Sequence, residues 1–363
     1  MTNNWKVSII TVSLNAVDTI EQTILSVLNQ SYKNIEYIII DGQSEDGTMD
    51  IIKKYQNGLS YCVSEPDAGL YDAMNKGIDH ATGDIIGIIN SDDWYEPDAV
   101  EKVVRCFTEK EAELVYGRTW VIDSDGRRTL DRERKIDQIW YTTAIMHSTV
   151  FVKRNIYQKY GKFNIKYRIA ADYDLLLRFY VSGVKFEYIG DAISNYRYGG
   201  ISSVHYLEGF EEGKTISLQY LEYCPQKEFV LNQIIRTYNF AVMASMMDQK
   251  PNRICDFLRM KFPNIEAGVS IFGTGHWGKR AARTLKIGKI PVSMFVDNNE
   301  KLWGTVIDEI MVCNPIILKK YNGYLLIAVK DCVQEICIQM SSLDNSEIKC
   351  ITLDELVSGI GVI

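Results

Sequence analysis

Seven prolines in 363 residues are too few for a proline-rich linker protein. No apolar stretch reaches the length of about 18 residues that a membrane-spanning helix needs, which leaves only surface attachment to a membrane open. The eight cysteines (62, 106, 224, 255, 313, 332, 337 and 350) never fall as C-x-x-C. That spacing excludes a zinc ribbon and a thioredoxin-type redox motif, and scattered thiols of this kind suit a reducing compartment. An excess of basic charge is also missing. Forty Lys and Arg stand against 47 Asp and Glu, for a net charge of −7. A general nucleic-acid binder needs a basic face, so nucleic acid is not an expected partner. The opening stretch MTNNWKVSIITVSLN lacks the basic segment and cleavage site of a signal peptide. The expected location is therefore cytoplasmic, with the inner face of a membrane as an extension of it. No internal repeat at a fixed period is visible.

What remains is an ordinary globular composition, 46% hydrophobic and 24% charged, and a length that suits roughly two domains. Along the first hundred residues, strand and helix signals alternate. Lys6–Val12, Glu36–Ile40, Ser60–Ser64 and Asp84–Ile89 read as strands. Asp18–Asn29, Asp50–Tyr55, Leu70–His80 and Asp98–Lys110 read as helices. Such alternation predicts parallel βαβ units. A hairpin is expected around Asp123–Gly126, a strand at Ser148–Val152, a helix at Asp172–Ser182 and a strand at Lys185–Ile189. Tyr206–Tyr223 and Glu228–Met247 read as connecting helices whose apolar residues could also pair two copies of the chain. A boundary is placed between about Asn252 and Ala267. Beyond it, strands at Val269–Phe272, Val292–Val296 and Tyr324–Val329, with a helix near Asp331–Ser341, predict a second α/β domain.

Parallel sheets bind ligands at the carboxyl ends of their strands. Here those ends carry Ser13-Leu14-Asn15, then Asp41 through Thr48, then Glu65 through Gly69, then Ser91-Asp92-Asp93. Carboxylates gathered along one edge repel each other unless a cation sits among them. A divalent metal carrying a phosphate is the natural occupant, and hard oxygen donors suit magnesium or manganese.

The segments VSIITVSLN, IIDGQSEDGT, EPDAGLYDAMNKGIDHATGDIIGIINSDDW, HSTVFVKRNIYQKYGKFN and AADYDLLLRFYVSG together resemble the inverting family 2 glycosyltransferases, over about residues 5–205. The resemblance implies an α/β chain with a GT-A nucleotide-diphospho-sugar transferase domain at 1–205, a helical connector at 206–262 and a small Rossmann-like domain at 268–363. It implies a nucleotide-sugar donor, a divalent metal, and a glycan or lipid-linked acceptor in surface polysaccharide synthesis. UDP follows from family frequency alone, since Ile40 and Gln43 stand where the family often signals its base.

Carried over residue by residue, the resemblance makes Asp41 the partner of the donor's base, with Ser13 and Asn15 in the same pocket. Asp93 would hold the metal, and Asp92 would reach the ribose or donor sugar. Gly69 starts a turn after which Asp72 and Asn75, three apart on one helix face, would both point at the nucleotide. Asp172 would be the general base, although Ala171 replaces the usual Glu before it. His147 would face acceptor or metal, and Gly199–Ser202 would close over the donor. Structural alternatives stand beside these roles. Asp41 could fix a turn, Asp92 and Asp93 could cap a helix after Trp94, and Asp172 could be an N-cap. His147 could be a core histidine, and Arg178 a partner for a carboxylate on its own helix.

In the C-terminal region Gly273, Gly275 and Gly278 form G-x-G-x-x-G between a strand and a helix, with Asp297 closing the next strand. That is a dinucleotide fingerprint in its proper context. It could bind a nucleotide or nucleotide sugar, serve an NAD-dependent oxidoreductase, belong to a non-catalytic sensor, or simply make a tight strand–helix turn.

Overall fold

The computed structural model describes residues 4–360 apart from 134, 331 and 344. The chain forms two compact units, residues 1–235 and 236–363. The division falls inside one helix, α9 below.

The first unit opens with β1 (Val7–Ser13), α1 (Ile20–Leu28), β2 (Ile35–Asp41), α2 (Thr48–Lys54), β3 (Tyr61–Ser64), α3 (Leu70–His80) and β4 (Ile85–Asn90). β3, β2, β1 and β4 lie side by side and parallel. The β-branched runs of β1, β2 and β4 are buried on both faces, as a covered parallel sheet requires, while β3 at the edge is partly exposed. The period of two sorts the side chains. Ile10, Val12, Ile38, Ile40, Ile86 and Ile88 enter the core shared with α3. Val7, Ile9, Tyr37, Ile39, Ile85 and Ile89 enter the opposite core.

The sheet continues through β5 (Trp94–Tyr95), α4 (Ala99–Glu109), β6 (Leu114–Ile122), β7 (Arg128–Leu130), β8 (Phe151–Lys153), α5 (Arg154–Tyr160), α6 (Ala171–Val181) and β9 (Phe186–Arg197). The full strand order is β3-β2-β1-β4-β8-β6-β9-β5, with β7 paired to β6. Chain order reverses between β1's two neighbours, β2 and β4. Ligands bind such a switch at the carboxyl edge, where Ser13, Asp41 and Ser64 end their strands in register and Asn90 ends β4 opposite Val12. The GT-A expectation is met. Two details differ. His147–Thr149 is a 3-10 turn rather than the start of β8, and β9 runs twelve residues because it also pairs with β5 beyond its predicted end.

Then come α7 (Ile201–Val204), α8 (Tyr206–Tyr220), α9 (Lys227–Gln249) and α10 (Pro251–Lys261). The last occupies the stretch read as a boundary. Pro251 sits at its first turn and Ile254, Cys255 and Leu258 bury one face, a stronger signal than the polar residues between them. No helix among the described residues is long and apolar enough to cross a membrane.

The second unit contains β10 (Val269–Phe272), α11 (His276–Ile287), β11 (Val292–Val296), β12 (Val306–Ile307), β13 (Ile310–Cys313), β14 (Gly323–Ile327), α12 (Val333–Ser341), β15 (Ile348–Thr352) and α13 (Leu353–Gly359). Asp331, predicted to begin α12, lies outside the described residues. The strand order is β12-β13-β11-β10-β14-β15, parallel except for β12. This second sheet fits the Rossmann-like expectation.

Candidate functional site

Asp41 closes β2 and is 0% exposed. Its Oδ1 accepts hydrogen bonds from the hydroxyls of Ser13 and Ser44, and its Oδ2 from the Ser44 amide and the Ser64 hydroxyl. A carboxylate offers about four acceptor positions, so these bonds fill it. Asn15, held at φ +49°, adds a second latch: its Oδ1 accepts from the Glu45 amide while its own amide donates to Ser44. In the unliganded chain Ser13, Asn15 and Asp41 therefore hold the 42–48 loop, and a base would reach Asp41 by displacing a serine hydroxyl. Gly42 is required here, because a Cβ would stand 2.5 Å from an oxygen of Asp67.

At the end of β4 the chain turns through Ser91-Asp92-Asp93 into β5, and the helix that follows, α4, has Asp98 at its N-cap, so the pair caps no helix. Asp93 is 2% exposed, and its Oδ1 accepts the Arg197 amide. Burial and the adjacent Asp92 push its carboxyl well above the ordinary range. Asp92 is less covered. Burial raises it too, partly offset by Arg197, and one of its oxygens would meet a Cβ on Gly200 at 3.3 Å. Asp92 thus borders the Gly199–Gly200 segment. Two residues earlier, on the same strand face as Ile86 and Ile88, Asn90 buries its Oδ1 without a hydrogen-bond partner. Sequence reasoning passed over it, though the two-residue spacing of Asn90 and Asp92 at a strand end was the available signal.

Among the described residues no three His, Cys, Asp or Glu side chains converge as a metal site. The donor set still suits a hard cation. Asp92 and Asp93 are adjacent carboxylates, largely removed from water, whose charge is poorly compensated, and magnesium and manganese commonly complete their coordination with substrate phosphates and water.

The helix α3 behaves differently from expectation. Gly69 begins it at φ +116°, a conformation that favours glycine. Asp72 accepts the Ala68 amide and lies 3.8 Å from Lys76, which closes the turn. Asn75 does not present its amide to a nucleotide. It donates to the Phe163 carbonyl and accepts the Phe163 amide, so both ends are bound to main chain. Phe163 in turn stacks on Tyr71. One helical turn before Asn75, the Tyr71 hydroxyl lies 3.1 Å from Asp172 Oδ1 and 2.7 Å from the Ile169 carbonyl.

Asp172 occupies the second position of α6, whose N-cap is Ala170, so it is not the cap. The capping acceptor comes from α8. The Glu212 carboxylate accepts the amides of Arg168, Ile169 and Ala170. Besides Tyr71, Asp172 Oδ1 accepts the Tyr173 amide. Both hydrogen bonds accepted by this carboxylate thus land on Oδ1. Burial pushes the Asp172 carboxyl up, while His147 beside it pulls it down. Burial in turn lowers His147, against the pull of Asp172. The two face one small pocket whose other walls are apolar, among them Ile88, Val150 and Leu176. His147 Nε2 is buried and unpartnered. Arg178 pairs with Asp174 and donates to the Tyr160 and Lys162 carbonyls, all structural contacts.

In the second unit Gly273 adopts φ +99° and Gly278 packs so closely that a Cβ would meet the Gly273 oxygen at 1.9 Å. Gly275 has open space around it. Asp297 Oδ2 accepts both the amide and hydroxyl of Thr274, and its Oδ1 accepts the Asn299 amide.

The sequence profile described as "Glycosyl transferase family 2" matches residues 8–172, and that described as "C2185-like, N-terminal" matches residues 266–351. An uncharacterized glycosyltransferase of Mycobacterium tuberculosis is 34% identical over 188 residues, covering 49% of this chain and 70% of that protein. A PGL/p-HBAD biosynthesis glycosyltransferase of Mycobacterium bovis is 29% identical over 203 residues, covering 54% of this chain and 78% of that protein. The crystal structure of S. aureus TarS 1–349 in complex with UDP-GlcNAc superposes with a TM-score of 0.52 at 15% identity, covering 79% of this chain and 82% of that one.

Proposed function

The chain belongs to glycosyltransferase family 2, and from that premise we propose that it transfers a sugar, with inversion, from a UDP-sugar to a hydroxyl of a glycan or lipid-linked acceptor in cell-surface polysaccharide synthesis. The observation that carries the reading is Asp172: a carboxylate kept out of water, anchored through Oδ1 alone, in a pocket shared with His147. Its Oδ2 takes the acceptor's hydroxyl proton as that oxygen attacks the anomeric carbon and the nucleoside diphosphate departs. A positioned base supplies about 10²–10⁴-fold in rate.

Asp92 and Asp93 would hold a divalent cation, manganese or magnesium, with Asp92 nearer the donor. Bound there, such a cation neutralises charge growing on the departing diphosphate. Gly69 and Asp72 shape the turn beside the donor; Ser13, Asn15 and Asp41 form the base pocket. The UDP-GlcNAc complex of the structurally similar TarS supports UDP as the nucleotide, and the mycobacterial relative's role in PGL/p-HBAD biosynthesis supports a surface glycan. In the second unit, Asp297 is spent on Thr274 and Asn299, which favours a structural strand–helix turn over a ribose site.

Calorimetric titration with UDP and manganese, then with NADH, tests the reading. UDP is expected to bind only with the cation, and Asp92→Ala to abolish that binding. Tight NADH binding without any nucleoside diphosphate affinity would overturn it.

A further inference from the structure

The Tyr71 hydroxyl has one proton and two neighbours that want it. The Ile169 carbonyl, 2.7 Å away, can only accept. Asp172 Oδ1, 3.1 Å away, accepts when charged and can donate when protonated. The carbonyl cannot turn away, because Glu212 holds the Ala170 amide of the same peptide and the Ile169 amide before it, and Ala170 leads straight into α6. The tyrosine cannot turn away either. Its ring is buried and stacked on Phe163, which the Asn75 amide grips from the same face of α3. Only the hydroxyl proton is free to rotate.

We propose that Tyr71 is a positioning residue for Asp172: its proton points to the carboxylate while Asp172 is charged and swings to the Ile169 carbonyl once Asp172 has taken the acceptor's proton. In the first state the hydrogen bond is charge-assisted and stabilises the base. In the second, the carboxyl proton sits on Asp172 and the Ile169 carbonyl regains the Tyr71 donor; in the first, the charge-assisted bond to the carboxylate outweighs the carbonyl left without it. The acceptor's O–H bond breaks, its proton passes to Asp172 Oδ2, and the oxygen's electron pair forms the new glycosidic bond as the anomeric carbon's bond to the nucleoside diphosphate breaks and that electron pair leaves with the diphosphate; Tyr71 exchanges no proton. The groups facing Asp172 are Tyr71 from α3, His147 from the turn before β8, and Glu212 from α8 behind the Ile169 segment. Burial and Asp172's charge hold the Tyr71 phenol far above neutrality, so it remains a hydrogen-bond donor throughout. The proposal also explains why a tyrosine of the donor-side helix touches the base.

The proposal rests on Asp172 as base, and infrared titration of the intact chain separates the two. The Asp172 carboxyl stretch is identified by its disappearance in Asp172→Asn, with no acceptor needed. In Tyr71→Phe its midpoint is expected to rise by about one pH unit or more, the size of a lost hydrogen bond to a charged group. His147→Gln serves as the comparison. It also moves the midpoint, while leaving intact in the charged state the carboxylate band shift that reports the Tyr71 contact. An unmoved midpoint in a folded Tyr71→Phe chain overturns the proposal and leaves the base reading standing. Transfer activity retained in Asp172→Asn overturns the base reading itself.

Discussion

Asp41 and Asp172 are both aspartates held away from water in the first unit, and they are furnished in opposite ways. Asp41 receives four hydrogen bonds, three from serine hydroxyls and one from an amide, and both oxygens are full. Asp172 receives two, both on Oδ1, and faces a histidine nitrogen that has no partner. A buried charge that is fully bonded holds structure together; one left under-furnished is poised to exchange a proton or bind a ligand. The same contrast separates Glu36 from Asp93. Glu36, at the amino end of β2, is served by Lys6, Ser8 and Thr82. Asp93, at the carboxyl edge, has one amide and a repelling neighbour.

The contrast breaks most visibly at Asp172. Asp172→Asn is expected to cut transfer by about 10²–10⁴-fold while UDP–manganese affinity, read by calorimetry, stays as in the parent chain. Retained turnover would make this carboxylate structural after all. Next in size is Asp41→Ala, which strands three serine hydroxyls and is expected to cost about 3 kcal/mol in denaturant unfolding. A negligible loss there would mean that Asp41 serves a ligand rather than its loop.

Glu36 and Asp93 sharpen the contrast through pH. Burial alone would raise Glu36, but Lys6, Ser8 and Thr82 outweigh it and hold its carboxyl at about 2, below the unfolded value of 4.5. Its contribution is therefore present above pH 4.5 and lost as the pH falls toward 2. Glu36→Gln should cost about 2 kcal/mol at neutral pH, read in the same unfolding experiment. Asp93 has the opposite sign. Its folded value lies above the unfolded 3.8, so its protonated form favours folding, and stability drains away as the pH rises through the folded value. The smallest expected effect is accordingly a melting temperature for Asp93→Asn a few degrees above the parent at neutral pH without metal, about 1 kcal/mol. The difference should vanish in acid. A lower melting temperature at neutral pH would show that the Arg197 amide contact outweighs the burial cost.

The second unit offers the same lesson in miniature. Its glycine fingerprint and Asp297 were plain in the sequence, yet the carboxylate is turned back onto Thr274 and Asn299. Spacing shows that a turn is tight; it does not show whether the acid at the next strand end faces outward. Asn75 makes the point on a helix. Three-residue spacing places it on a face with Asp72, but the partner that engages its amide, Phe163, is 88 residues away. The helix α10 lies within the stretch expected as a helical connector, but a boundary was placed across it because its polar residues outnumber the few buried ones that decide it, Ile254, Cys255 and Leu258.

The sequence by itself determined the parallel sheet and its carboxyl edge. Buried β-branched runs and the turn residues that end them are local patterns, repeated three times before residue 93, in β1, β2 and β4. The tertiary structure alone decided which acids are spent and which are free. That choice depends on hydroxyls, amides and a tyrosine brought in from tens of residues away, and on the water excluded when they close around a carboxylate.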